Sequence, residues 1–422
     1  MLVYNPYTKQ SQDSHTVRFH SVLVRLALLL GILGASCGFY AAVRVGWSDW
    51  VRRTNTDEAI RAAIALTPSN WKYYRDLAEF NPPQAILPLR HAIQLNPANS
   101  SLRIELGEYA EQIGDFAAAE EGYRSAVAID QTYAPRFEQA EFYFRRHDSG
   151  RFASAAKSAF AVGFHEDMTI LFSQCWELFD DADQIFTRMI PTRPEALQQY
   201  LAFLLNSGRI GAAPPVAKRL MSAEVDVADN REVILRYCDR MLDAGDYSDA
   251  LEAWNWLAGR ALVSFPPIAQ DDLVTNGEFV KPPLKRGFDW RYGDTHGMYF
   301  ESIPAGGLKI SLTSKQPEHC VTLWQYIPLP EPGKYRLDVK YRTPGKDSGL
   351  NWQVLAGGKD LLRGGGALSV PSRPASALAE QEFEFAAPAA GLAQLRLGYV
   401  RVLGTVRVEG DAEIREVRLR RE

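Results

Sequence analysis

The sequence has few of the residues from which catalytic or metal sites are usually built. Its 422 residues include only four cysteines, at positions 37, 175, 238 and 320, and their wide spacing fits neither a disulfide framework nor a zinc site. The seven histidines are scattered, and none forms an i, i+4 pair on a predicted helix. Phosphate-binding glycine loops and the Gly-x-Ser-x-Gly elbow are also missing. We therefore expect no enzyme, no cofactor and no bound metal.

The chain also lacks an excess of charge of one sign. Lysine and arginine total 47 against 51 aspartate and glutamate residues, which gives a net charge of −4. A protein that binds nucleic acid usually carries a basic patch or a basic balance, so we expect no nucleic-acid partner. The length predicts two or three domains, each long enough to bury its own core.

Long apolar runs are absent except near the N-terminus. The 18 residues from Leu26 to Val43 carry no charge, and a helix that spans a membrane needs about 20 apolar residues. Trp47 and Trp50 follow, where interfacial aromatic side chains are expected. We predict a polar tail over residues 1–20 and a transmembrane helix over 21–46. A single such segment favours a single-pass protein of the inner membrane, with its tail inside and the bulk of the chain in the periplasm or otherwise outside the cytoplasm.

Two other interpretations of this segment stay open. One is a cleaved signal peptide, although the apolar region of a signal peptide is usually only about 7–15 residues long. The other is a lipoprotein modified at Cys37, but Phe39 and Tyr40 continue the apolar run where a polar tether is expected.

Residues 54–262 show helical periodicity and an internal repeat. The clearest unit runs from Ser100 to Gln131. Small residues at Gly107, Ala119 and Ala126 let two helices pack closely, and a turn at Gly114 separates the helices. The turn recurs at 150, 208 and 245, and a divergent unit near 181 fills the longest gap. The spacing predicts about six helix pairs.

This segment resembles the tetratricopeptide-repeat (TPR) family. The resemblance implies an α-solenoid in which first-helix side chains line a groove for a protein partner. In the clearest unit these side chains are Ile104, Glu108 and Glu111. A solvated helix face is the alternative for each of them.

The composition changes after Gly259. Pro266 and Pro267 break the helical pattern in a predicted linker over 263–271. Residues 272–422 then show short runs of alternating apolar and polar residues without a long helix, which predicts an antiparallel β-sandwich. The predicted fold is therefore multidomain α plus β: a transmembrane helix, a TPR-like solenoid and a C-terminal sandwich.

The β region resembles the galactose-binding-like jelly-roll carbohydrate-binding modules. The motif Asn276-Gly277-Glu278-Phe279 opens it, and Gln325 precedes a central Pro-Gly turn, as in those modules. Where the modules often carry an aspartate in the closing strand, this chain has Arg415-Glu416-Val417, so a structural calcium is not implied. Aromatic and planar polar side chains would bind sugar. The candidates are Trp290, Arg291, Tyr292, Trp324, Gln325, Trp352 and Gln353. Core packing is the alternative for the aromatic residues.

These features together predict a non-enzymatic scaffold of the bacterial cell envelope. The anchor would hold the chain at the membrane, the repeats would recruit a protein, and the sandwich would bind a polysaccharide during its assembly or export. This prediction rests on analogy between folds. A purely protein-binding assembly factor and a hydrolase or transferase acting on glycan between the domains are the alternatives.

Overall fold

The computed structural model describes residues 22–163, 165–223, 230–269, 271–345, 348–368 and 378–422. Helices fill the N-terminal part of these ranges and antiparallel strands fill the C-terminal part. The predicted order of an apolar helix, paired helices and antiparallel sheets is therefore confirmed. By compactness the chain divides into two units, residues 1–155 and 156–422, so the last helices belong to the same unit as the strands.

The described ranges contain fourteen α-helices. They are α1 (Val22–Arg52), α2 (Asp57–Leu66), α3 (Trp71–Phe80), α4 (Ile86–Leu95), α5 (Ser100–Gln112), α6 (Phe116–Ile129), α7 (Tyr133–Arg145), α8 (Ser149–Phe160), α9 (Thr169–Leu178), α10 (Ala182–Arg188), α11 (Pro194–Asn206), α12 (Ala213–Ser222), α13 (Arg231–Ala244) and α14 (Tyr247–Gly259). From α3 onward they follow one another as helix–turn–helix pairs.

Helix α1 is long and apolar enough to cross a membrane, and none of its most apolar stretch is buried. Its last turns nevertheless belong to the folded helical region. Arg44, Ser48 and Arg52 lie on one stripe because they are spaced by four residues. Arg44 donates to the carbonyl of Leu66, and Arg52 pairs with Asp76. The end of α1 is therefore held by α2 and α3.

The centre of this stripe is fully buried. Ser48 is 0% exposed, and its hydroxyl lies 3.0 Å from the Thr67 hydroxyl and 2.8 Å from the Tyr73 hydroxyl. Tyr73 also donates to Asp49 Oδ1 at 2.7 Å. On another face of the same helix, Trp47 and Trp50 stay exposed and stack on each other with ring centroids 5.1 Å apart. One face of α1 thus packs on the helices while another remains open.

Small residues let α5 and α6 approach closely, as the repeat pattern predicts. A Cβ atom on Gly107 would lie 2.9 Å from the Tyr123 ring, and one on Gly122 would lie 2.8 Å from the Arg103 carbonyl. Ala119 and Ala126 are fully buried in the same interface. Asp115 caps α6 by accepting a hydrogen bond from the Ala118 amide at 3.1 Å.

The turn predicted at Gly150 is wrong by a few residues. Gly150 lies inside α8, whereas His147 takes the left-handed conformation with φ 53° and Asp148 accepts from the Arg151 amide at 3.0 Å. Gly114, Gly208 and Gly245 do have positive φ. The prediction placed the turn at the glycine, whereas the left-handed position is taken by a histidine, one of the non-glycine residues that adopt this conformation more often than most. The divergent unit is α9–α10, and Asp181 caps α10.

Nine strands are described in the C-terminal part. They are β1 (Met298–Ser302), β2 (Leu308–Thr313), β3 (His319–Leu329), β4 (Gly333–Arg342), β5 (Leu350–Ala356), β6 (Lys359–Asp360), β7 (Ala379–Ala387), β8 (Gly391–Val400) and β9 (Glu409–Arg421). They form a five-stranded sheet of order β1-β2-β9-β4-β7 and a four-stranded sheet of order β3-β8-β5-β6, and all described pairings are antiparallel.

The two sheets share one hydrophobic core. The alternating apolar residues of β4 and β8 are buried, which confirms the predicted alternation. They are Tyr335, Leu337, Val339 and Tyr341 of β4 and Leu395, Leu397 and Tyr399 of β8. The opening segment lies beside β9, where the Gly277 carbonyl accepts from the Val417 amide at 2.9 Å. A Cβ atom at Gly277 would lie only 2.1 Å from the Val417 carbonyl oxygen, so only glycine fits this position.

The last helix pair packs on the β region. Asp239 of α13 accepts hydrogen bonds from the Gly287 amide at 2.7 Å, from Arg286 Nε at 2.8 Å and from Arg291 Nη2 at 3.2 Å. Trp254 of α14 is fully buried and contacts the rings of Phe265 and Phe288. Helices α13 and α14 and the first loops of the β region thus form one packed body.

Candidate functional site

Three of the seven predicted glycan-binding residues lie in the core of the β-sandwich. Trp290, Gln325 and Trp352 are each 0% exposed. The Trp290 ring stacks on Phe279 at 5.2 Å and contacts Trp352 at 6.1 Å. A ring that is enclosed by other side chains offers no face to a sugar, so in this fold these residues support the sandwich instead.

Gln325 has a clear structural role. Its Oε1 accepts from the Thr275 amide at 3.2 Å, and its Nε2 donates to the Thr275 carbonyl at 3.3 Å. The side-chain amide thus pairs with the buried backbone N–H and C=O of Thr275, as a neighbouring strand would otherwise do. The glutamine therefore fixes the opening segment to β3.

Trp324 and Gln353 come together on the outer face of the four-stranded sheet. Trp324 of β3 lies opposite Arg396 of β8, and Arg396 in turn lies opposite Gln353 of β5. The next pair along β3 and β8 is Tyr326 with Gln394. All five side chains are half-buried. We call Trp324, Tyr326, Gln353, Gln394 and Arg396 the aromatic–amide face.

The aromatic–amide face combines a ring platform with planar hydrogen-bonding groups. The rings of Trp324 and Tyr326 meet edge to face, with centroids 5.3 Å apart and an interplanar angle of 87°. Arg396 Nε donates to Gln394 Oε1 at 2.8 Å, and burial raises the pKa of Tyr326. Such a surface offers apolar ring area, amide donors and acceptors and guanidinium donors side by side.

Arg291 forms one border of the aromatic–amide face. Its backbone pairs with that of Trp324, and its guanidinium lies 4.9 Å from the Trp324 ring centroid and 5.2 Å from that of Tyr326. Burial lowers the pKa of Arg291, while the negative charge of Asp239 acts in the opposite direction. Asp239 thus holds the guanidinium over the rings, where it gains cation–π attraction.

Tyr292 lies in a different environment. Its ring stacks on Phe300 with centroids 4.3 Å apart, and Lys285 Nζ lies 4.0 Å from the ring centroid. Burial raises the pKa of Tyr292. The side chain packs against the edge of the core rather than on the aromatic–amide face.

The outer face of the five-stranded sheet has a different character. Arg336, Arg342, Arg418 and Arg420 project from β4 and β9, and each is paired with an acidic side chain. Lys340 pairs with Glu380 in the same way. The basic side chains of this charged face are thus paired with acidic ones, so the two outer faces of the sandwich offer different chemistry to a ligand.

The residues predicted for a partner groove lie on α5. Ile104 and Glu111 are half-buried, and Glu108 is on the same helix face. Arg145 of α7 binds Glu111 with two parallel bonds of 2.8 Å, and Arg75 of α3 binds Glu105 at 2.8 Å. These pairs place α3, α5 and α7 side by side.

Several acidic side chains collect there, and we call them the acidic face: Glu105, Glu108 and Glu111 of α5 with Glu138 and Glu141 of α7. Partial burial, followed by the charge of Glu105, raises the pKa of Glu108. Partial burial, followed by the charge of Glu108, raises the pKa of Glu138. Two arginines neutralise only part of this charge, so the face attracts cationic groups.

The sequence could have indicated part of what it missed. Tyr326 follows Trp324 at the two-residue spacing of one strand face, so the alternation in β3 already pairs them. Gln394 and Arg396 share that spacing on β8. Their position beside β3 depends on the strand order, which no local pattern in the chain encodes.

Comparison with known proteins gives structural resemblance only. No family model matches the chain, and no curated protein matches it either. Solved structures that resemble its β region include a CBM4 carbohydrate-binding module, with 15% identity over 35% of this chain and 99% of that one and a TM-score of 0.26. Another is the C-terminal CBM6 of LamC from Zobellia galactanivorans, with 16% identity over 31% and 93% and a TM-score of 0.21.

The helical region also has counterparts among solved structures. PilW, described as a widely conserved type IV pilus biogenesis factor, shows 15% identity over 53% of this chain and 94% of its own, with a TM-score of 0.24. The resemblances predicted from the sequence, to TPR proteins and to carbohydrate-binding modules, are thus both found among solved structures.

Proposed function

We propose that this protein is a membrane-anchored, non-enzymatic scaffold of the bacterial cell envelope. Helix α1 anchors it, the acidic face of the helical region binds a basic protein segment, and the aromatic–amide face binds a glycan. The observation that carries the glycan role is the difference between the two outer faces of the sandwich. One is neutralised by its own ion pairs, whereas the other presents rings, amides and a guanidinium.

Retention of α1 is part of this proposal. The Arg44–Ser48–Arg52 stripe supports it, because these last turns contribute hydrogen bonds to α2 and α3. The exposed Trp47 and Trp50 suit the headgroup region at the end of a membrane span. Mass spectrometry of protein extracted from membranes should detect the apolar part of α1, which begins at Val24, in the mature chain. A mature chain that lacks the apolar part of α1 would contradict retention.

Titration tests the glycan role. The full chain in detergent is titrated with the surface polysaccharide of its own cell, together with Trp324→Ala and Tyr299→Ala variants. Tyr299 is the matched control, because it is an exposed aromatic residue on the five-stranded sheet. We expect Trp324→Ala to lose binding and Tyr299→Ala to keep it. Equal binding by both variants would place the glycan elsewhere, and no binding by the wild type would refute the role.

The protein-binding role is tested by reversing charge on the acidic face. A Glu108→Lys, Glu138→Lys variant should no longer retain a basic partner in a pull-down from solubilised membranes. Glu121→Lys, on the exposed surface of α6, is the matched control and should retain the partner. Retention by all variants would remove the acidic face from consideration.

One observation favours a second candidate function, a purely protein-binding assembly factor. The contacts of Asp239 and Trp254 join the last helix pair to the β region, as expected if the sandwich served only to cap the helices. In that case Trp324→Ala would leave function in the cell intact, whereas reversal of charge on the acidic face would abolish it.

A further inference from the structure

In the part of the chain that the structure describes, one guanidinium group of the aromatic–amide face has no carboxylate partner. Arg396 lies on β8, the strand between β3 and β5. Its hydrogen bonds go to the neutral amide oxygen of Gln394. Within the described part of the chain, Arg396 makes no ion pair, whereas the arginines on the outer face of β4 and β9 are paired. This difference leaves the Arg396 guanidinium available to an external anion.

Charged groups of both signs surround the aromatic–amide face. The charged groups that act on the Tyr326 hydroxyl are Asp243, Arg291 and Arg396. Asp239 binds Arg291, but the same carboxylate also binds Arg286, and Arg286 takes a second partner in Glu232. The acids of α13 therefore act on Arg291 and on Tyr326, whereas Arg396 has no carboxylate in ion-pair contact within the described ranges.

The neighbours of Arg396 match the remaining parts of a sugar. Trp324 is its cross-strand neighbour on β3, and Gln353 is its neighbour on β5. A guanidinium presents two parallel N–H groups that fit the two oxygens of a carboxylate. An adjacent indole ring offers a flat apolar surface, and a side-chain amide can both donate to and accept from hydroxyl groups.

We infer that the aromatic–amide face selects an acidic glycan, a polymer of uronic acids, with Arg396 binding the sugar carboxylate, Trp324 stacking on the ring and Gln353 bonding to hydroxyl groups. This inference rests on the proposed glycan role and names its ligand class. Binding is weakened by salt, because part of it comes from attraction between charges.

Calorimetry on the full chain in detergent tests the inference. The probes are polygalacturonate, polyglucuronate and polymannuronate, each beside its carboxyl-reduced neutral counterpart. We expect one polyuronate to bind at least about 10-fold more tightly than its neutral counterpart, because a charge-assisted hydrogen bond contributes on this scale. Arg396→Gln should weaken binding of the acidic polymer about 10- to 100-fold and should weaken binding of the neutral one by a smaller factor.

Matched variants separate a specific site from general attraction. Arg420→Gln removes the same charge from the other sheet, where Arg420 pairs with Asp338, and should leave the affinity within about 2-fold. Arg396→Lys keeps the charge without the fork and should lie between wild type and Arg396→Gln. Equal binding of acidic and neutral polymers would overturn the inference and keep the glycan role. If the protein bound the cell's own polysaccharide but none of the three polyuronates, the inference would also be overturned. If it bound no glycan at all, both the inference and the proposed glycan role would be refuted.

Discussion

Replacing Asp239 with alanine should destabilise the unit that contains the β-sandwich. The carboxylate accepts from the Gly287 amide, Arg286 and Arg291, and it is only 24% exposed. The variant leaves two partly buried guanidinium groups and a backbone N–H with poorer partners. Hydrogen bonds to charged groups contribute about 1.5–3 kcal/mol each, and breaking a buried pair costs about 3–5 kcal/mol. Allowing for partial solvent access, we expect a loss of about 3 kcal/mol.

Thermal unfolding of the full chain in detergent measures this loss. A destabilisation of about 1 kcal/mol lowers Tm by about 2–4 °C in a unit of this size, so we expect a decrease of about 6–12 °C. Fluorescence reports on the unit because Trp254 and Trp290 are buried in it. Asp243→Ala, one turn further along α13 and exposed, is the control and should change Tm little. A decrease below about 2 °C for Asp239→Ala would refute the role of this carboxylate.

Three other substitutions test separate parts of the structure. Burial raises the pKa of Asp289 to about 6. Between about pH 4 and 6 the native state therefore keeps a proton on this carboxyl group, whereas the unfolded state has lost it. The free energy of unfolding consequently falls as the pH rises through this window. Asp289→Asn should remove that slope and gain up to about 3 kcal/mol at neutral pH in urea titrations, and an unchanged slope would contradict the assignment. Gly122→Ala should lower the free energy of unfolding by about 1–3 kcal/mol, because the added Cβ would meet the Arg103 carbonyl. Gly150→Ala is the control: its Cβ has room, and the substitution should not destabilise the protein. Equal effects of the two substitutions would argue against close packing of α5 and α6. Ser48→Ala should lower the stability of the helical region by about 1–2 kcal/mol in proteolysis assays, and wild-type resistance would argue against docking of α1.

Local patterns predicted the elements well, because each depends on residues close in sequence. The alternation of Leu337 and Val339 identifies a strand with one buried face, and the spacing of Gly107 and Ala119 identifies a close helix pair. The His147 turn was missed because a non-glycine residue adopts the left-handed conformation there.

The aromatic–amide face was only partly predictable. Trp290 and Trp324 both stand in mixed aromatic and polar surroundings, yet one is buried and the other half-exposed. Trp290 lies outside the strands, and the irregularity between Val321 and Leu323 shifts the register of β3 against β8. Which ring faces outward therefore depends on pairings between distant segments. The same holds for Asp239 and Arg286, which lie 47 residues apart.

The junction of α1 with the helices that follow has a mechanical consequence. The stripe of Arg44, Ser48 and Arg52, which contacts α2 and α3, belongs to the same continuous helix as the apolar part of α1. No flexible linker therefore separates the apolar part from these contacts. One residue inserted at Ala42 would turn the upstream helix by about 100° and shift it by about 1.5 Å relative to the docked stripe. A rotation of the apolar part of α1 about its axis is therefore transmitted directly to α2 and α3.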